Sequence, residues 1–173
     1  KKQNNLIFLN YVPQLEKFLY WCQQLIAESL GKKGMGFLPV ISSVPKDHHS
    51  LLQLFLDGPR DKIFYIFCLE KNLNKKLKIK SKDKRLSYLH NKNIEMIKNA
   101  QTKALIETLK NNKISYRIFE LKNINEETLG ELFSYFMLET VITGKLVGIT
   151  PFGQPAVEQV KALTKKYLFK SAK

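Results

Sequence analysis

The sequence predicts an α/β fold, a three-layer αβα sandwich on a mostly parallel sheet. Three observations carry this expectation. Short apolar runs alternate with longer stretches of helical periodicity, which is the pattern of a parallel sheet with helices on both faces. The run Ile63–Cys68 is apolar throughout, as a strand covered on both faces requires. The chain has 173 residues, 44% of them hydrophobic, which is enough for one well-cored domain and too apolar for disorder.

The elements follow in order. Leu6–Leu9 reads as the first strand. Pro13 opens a helix near its start, where proline is tolerated, and the helix runs to about Leu30. Its apolar positions Leu15, Phe18, Leu19, Cys22, Leu25 and Ile26 recur at helical spacing. Gly31 is expected to end it in the left-handed conformation that glycine tolerates. Phe37–Val44 is a second strand after the glycine-rich Gly34-Met35-Gly36. A short helix spans Asp47 or His48 to Leu56, and Gly58-Pro59 breaks it. Lys62–Leu69 is the central strand. Asn93 to Asn111 is a long amphipathic helix, and Ser115–Leu121 a fourth strand. Asn125 caps a helix that continues to about Thr143, with Glu126 and Glu127 favourably placed in its first turn. A last helix runs from Gln154-Pro155 to about Phe169. Ligands of such sheets are expected at the carboxyl ends of the strands.

Composition excludes several classes. The apolar runs are too short to span a bilayer, so no membrane partner is expected. Cys22 and Cys68 sit inside apolar runs and read as reduced core thiols of a cytoplasmic protein. The formal charge of +14 raises the possibility of a nucleic-acid or anionic-surface binder. The excess, however, crowds into 71–85, where Asp83 is the only acid among seven lysines and Arg85. That segment lacks the aromatics that base stacking uses, so it reads as a solvated loop rather than a nucleic-acid site.

One carboxylate stands out. Glu28 lies in the last turn of the first helix, where the partial negative charge of the helix end disfavours a second negative charge. Such a group suits a general base better than a salt-bridged surface Glu does. Position alone equally allows a solvated Glu near a helix end. Gln24 lies one turn earlier on the same face.

Four stretches, in order, resemble the glucose-6-phosphate isomerase family. They are Asn10-Tyr11-Val12-Pro13-Gln14-Leu15 through Trp21-Cys22-Gln23-Gln24, then Leu25-Ile26-Ala27-Glu28-Ser29-Leu30-Gly31-Lys32, then Asp47-His48-His49-Ser50-Leu51-Leu52-Gln53, then Pro151-Phe152-Gly153-Gln154-Pro155-Ala156-Val157-Glu158-Gln159-Val160-Lys161. The third resembles the family's D-Q-H-S-x-x-Q segment, and the fourth its P-F-D-Q-P-G-V-E-x-G-K segment. The resemblance covers nearly the whole chain except the lysine-rich middle. It implies a single sugar-isomerase domain (SIS-type, flavodoxin-like) over residues 1–173, the C-terminal part of a longer protein.

The resemblance also implies an activity: interconversion of glucose 6-phosphate and fructose 6-phosphate through an enediolate, in glycolysis and gluconeogenesis, with no cofactor and no metal. Glu28 would be the base and Gln24 a substrate contact. His49 would open the sugar ring, reaching into the neighbouring subunit of a homodimer. Lys161 would assist ring opening, and Gln154 would bind substrate. His49 is aligned rather than His48 because Ser50 and Gln53 keep the family spacing, and His48 stands where the family usually has Gln. His90 has no motif and reads as structural. Gly153, Ala156 and Val160 replace the family's usual Asp, Gly and Gly, and the valine is expected to crowd a helix contact. The family's Ser/Thr-rich phosphate cradle and its enediolate-stabilising arginine have no counterpart; Arg60, Arg85 and Arg117 lack any motif. A non-catalytic phosphosugar-binding domain is the alternative, weakened by the joint presence of Glu28, His49 and Lys161.

Overall fold

The computed structural model describes residues 3–70 and 78–171. Four parallel strands form the sheet: β1 (Asn5–Asn10), β2 (Leu38–Ser43), β3 (Lys62–Leu69) and β4 (Tyr116–Leu121), in the order β2-β1-β3-β4. All four expected strands are present. The order reverses between β1 and β3, the topological switch of a doubly wound fold.

Alternation along the strands builds two cores. Leu6 and Phe8 of β1, with Tyr65 and Phe67 of β3, face α1 (Glu16–Leu30) and α5 (Glu126–Leu146). Ile7 and Leu9, with Phe64, Ile66 and Cys68, face α3 (Leu52–Asp57) and α4 (Ile94–Asn111). This is the period-2 pleat acting on runs that are apolar at both parities. Phe136 of α5 is fully buried among the rings of Phe8, Phe67 and Phe119. Cys22 and Cys68 are free, buried and in different cores, so the sheet separates them. Burial pushes the Cys68 thiol up to about 11.

The helix signals in the sequence act as expected at two starts. Asn93 and Asn125 accept hydrogen bonds from the backbone N–H of Met96 (2.8 Å) and Thr128 (2.9 Å), capping α4 and α5. Elsewhere the elements differ. Pro13 opens a 3-10 turn, Pro13–Leu15, and α1 begins at Glu16. The expected helix after β2 is two pieces, α2 (Lys46–Ser50) and α3, parted at Leu51. Within the lysine-rich segment, residues 71–77 lie outside the described residues, and a 3-10 stretch, Lys84–Leu89, follows. The last helix, α6 (Pro155–Ser171), is exposed over 155–170. Among the described residues, no helix is long and apolar enough to cross a membrane.

Candidate active site

The end of α1 and the start of α6 converge on Glu28. Gln24, one turn back on α1, donates its side-chain amide to Glu28 Oε1 at 3.0 Å. Gln154, just before α6, donates to Oε2 at 2.6 Å. Each carboxylate oxygen thus has an amide donor, which fixes the plane of the group. A cavity of about 470 Å³ opens beside it, lined by Ala27, Glu28, Lys32, Thr150, Phe152 and Gln154, among others.

Gly31 shapes this corner, for a reason other than the expected one. Its φ is −74°, an ordinary right-sided value. A Cβ at Gly31 would instead lie 2.6 Å from the carbonyl oxygen of Ala27, too close for any side chain. Glycine is required here by close approach, not by handedness. The next residue, Lys32, sends its Nζ to the main-chain oxygens of Thr150 (2.9 Å) and Phe152 (3.0 Å). That cation fastens the segment carrying Gln154 to the end of α1. Sequence reasoning gave Lys32 no role; its place directly after Gly31 was the available signal. Gly153 has φ +78°, a left-handed conformation that suits glycine better than the family's usual Asp.

The location differs from the expectation. Helix α1 leaves the carboxyl end of β1 and runs back along the sheet to feed β2. Its last turn therefore stands at the amino ends of the strands. Glu28, Gln24 and Gln154 sit at that pole, not at the carboxyl ends where doubly wound sheets usually bind ligands. The direction of the helix decides this, because a carboxylate in the last turn of a crossover helix is carried to the far side.

His49 is at the other pole. It lies on α2, directly after the carboxyl end of β2, and is exposed. A six-residue strand, roughly 20 Å, separates the two ends of the sheet. Glu28 and His49 of one chain therefore do not form one site. His48 faces inward, and its Nε2 lies 2.7 Å from the hydroxyl of Tyr11. Burial lowers the His48 pKa below the ordinary histidine value, partly offset by Asp47. His90 lies 3.1 Å by Nδ1 from the carbonyl oxygen of Ser81, a structural contact.

Lys161 does not line the Glu28 cavity. It is exposed on α6, with its Nζ 2.7 Å from Glu158 Oε1, one turn back. Val160 is 64% exposed and crowds no described neighbour. The arginines are all engaged locally: Arg60 with the Asn112 carbonyl, Arg85 with Asp83, and Arg117 with Tyr135 and Glu139. Among the described residues, no group of three or more His, Cys, Asp or Glu side chains could hold a metal ion.

No family model matches the chain. Its similarity to known proteins is nonetheless extensive. It is 38% identical over 165 residues to a probable glucose-6-phosphate isomerase of Methanococcus maripaludis, covering 94% of this chain and 36% of that protein. It is 36% identical to the glucose-6-phosphate isomerase of Mycoplasmopsis synoviae, over 93% of this chain and 38% of the relative. For that of Campylobacter jejuni the figures are 32% identity, 97% and 43%. The crystal structure of a hypothetical protein from Thermus thermophilus superposes with a TM-score of 0.85 at 30% identity, covering 96% of this chain and 41% of that one. The chain therefore belongs to the glucose-6-phosphate isomerase family, and it spans 36% to 43% of the length of the three relatives just named.

Proposed function

We propose that this chain supplies the proton-shuttling half of an aldose–ketose isomerase that interconverts glucose 6-phosphate and fructose 6-phosphate. The observation that carries the reading is the geometry of Glu28, a carboxylate held at both oxygens by neutral amides beside an open cavity. Amide donors orient a base without neutralising it, unlike a lysine or arginine partner.

The chemistry follows from that placement. In the open-chain aldose, Glu28 takes the proton from C2. The C–H electron pair becomes the C1–C2 double bond, and the carbonyl electrons move to O1. The carboxylic acid then returns the proton to C1 while the O2 hydroxyl becomes the carbonyl and its proton passes to O1. No oxidant, metal or cofactor enters this balance. The enediolate needs a cation or hydrogen-bond donors. Lys32 and Lys33 both line the cavity; Lys32 is committed to two carbonyls, and Lys33 is exposed. The family's enediolate-stabilising arginine and its phosphate cradle would come from outside this chain.

His49 fits the same reading as a donor to a neighbouring subunit. It is exposed and far from its own chain's Glu28, so ring opening by His49 requires a second copy. A cytoplasmic homodimer accommodates this, with Gln154 contacting substrate and Lys161 reaching sugar oxygens once α6 is covered.

The reading is tested on the full-length protein with glucose 6-phosphate in heavy water. Fructose 6-phosphate carrying solvent deuterium at C1 is the expected product. Substrate recovered unchanged, with no deuterium at C2, would refute the assignment and favour a binding domain.

A further inference from the structure

Helix α2 is too short to hold itself. It has five residues and no side-chain cap, and an isolated helix of that length is unstable in water. Two side chains fasten it instead. Asp47 Oδ2 accepts from Ser42 Oγ at 3.0 Å and from the Ser43 N–H at 2.9 Å, tying α2 to β2. His48 Nε2 lies 2.7 Å from the Tyr11 hydroxyl, tying α2 to the end of β1. The two rings also meet edge to face, with centroids 5.8 Å apart. Tyr11 is itself 1% exposed, in the core that holds Phe55 and Leu105.

Successive side chains on a helix point about 100° apart. With His48 turned onto Tyr11, His49 is turned away from the body of the domain. It is exposed and makes no hydrogen bond among the described residues. The two histidines are therefore not interchangeable: one is an anchor, the other a free imidazole.

We propose that His48 is a positioning residue, which acts through its hydrogen bond to Tyr11 to present His49 at a fixed angle to the site it serves. The inference rests on the isomerase reading above. It makes His48 necessary to ring opening without contact with the sugar. A glutamine at this position could also reach the Tyr11 hydroxyl, whereas an apolar residue could not.

The test is a double-mutant cycle on the full-length protein, with isomerisation of glucose 6-phosphate as the rate. His48→Leu alone is expected to lower kcat about 10- to 100-fold, the scale of a small misplacement of a reacting group. His48→Gln should restore most of that loss. In a His49→Ala background, His48→Leu should cost nothing further, because the group it positions is gone. Tyr11→Phe keeps the buried ring, removes the hydroxyl, and should reproduce His48→Leu; it also serves if the leucine variant fails to fold. A further loss in the His49→Ala background, or no loss from Tyr11→Phe, overturns the inference while leaving the isomerase reading intact. An inactive wild-type protein overturns both.

Discussion

Gln154 reaches across 126 positions of chain to Glu28, placing its Nε2 2.6 Å from Oε2. With Gln24 on the other oxygen, the carboxylate is gripped from α1 and from the segment just before α6. Only the Gln24 contact is local, an i,i+4 pair within α1. The Gln154 contact depends on where the chain returns after α5, so the carboxylate is oriented by tertiary structure.

Removing that grip should slow catalysis. Gln154→Leu keeps the bulk and deletes the donor. A hydrogen bond to a charged group contributes about 1.5–3 kcal/mol, so kcat/KM for glucose 6-phosphate should fall roughly 10- to 100-fold. Steady-state kinetics on the full-length protein measure this. An unchanged kcat/KM would show that Gln154 has no part in orienting the base.

Lys32 should matter through Gln154. Lys32→Met deletes both bonds to the carbonyls of Thr150 and Phe152. The segment carrying Gln154 then loses its fastening to α1. Activity should drop about tenfold or more. Combined with Gln154→Leu, the two losses should not add, since they act on one contact. Full additivity in the double variant would mean that Lys32 acts elsewhere.

Much of this fold is written openly in the sequence. Ile63–Cys68 is apolar at both parities, so it had to be a central strand with helices on each side. Asn93 and Asn125 announce helix starts through a short side chain that can reach back to the backbone. The candidate base was legible as a carboxylate out of place at a helix end. Its partners across the chain were not, because periodicity gives a face and not what meets it. The same limit explains α6, where spacing predicts a helix but residues 155–170 are left exposed. Lys161 shows a different obstacle. Glu158 lies three residues before it on the same helix, and a local ion pair forms where a motif suggests a substrate contact. The sheet pole bearing Glu28 falls outside the rule for strand ends, because Glu28 lies on a crossover helix.

His48 should impose a pH dependence on stability. Its folded pKa is depressed by burial, so the folded state resists a proton that the unfolded state accepts. Between the ordinary value near 6.5 and the lower folded value, the unfolded chain binds more protons. Stability should therefore fall as pH drops through that window and level off below it. His48→Gln has no proton to take and should lose less on going from pH 8 to pH 5 in thermal melts. An equal or greater acid loss in the variant would contradict this.

The lysine-rich segment should be dispensable. Among its described residues, Lys78, Lys80, Lys82 and Lys84 make no ion pair. Exposed charges away from a site contribute little. Replacing these four by glutamine should leave melting temperature and isomerisation within measurement error. A large loss of activity at fixed ionic strength would mean that the segment gathers the anionic substrate.

The most direct test concerns Glu28 itself. Glu28→Gln in the full-length protein preserves shape and removes the base. Losing a positioned general base costs roughly 100- to 10,000-fold. Proton exchange at C2 of glucose 6-phosphate, followed in heavy water by nuclear magnetic resonance, reads that step without interference from product release. Loss of exchange on this scale is the expected result, with ring opening, measured by interconversion of the substrate's anomers, largely retained. Exchange at the wild-type rate would contradict it and remove Glu28 as the base.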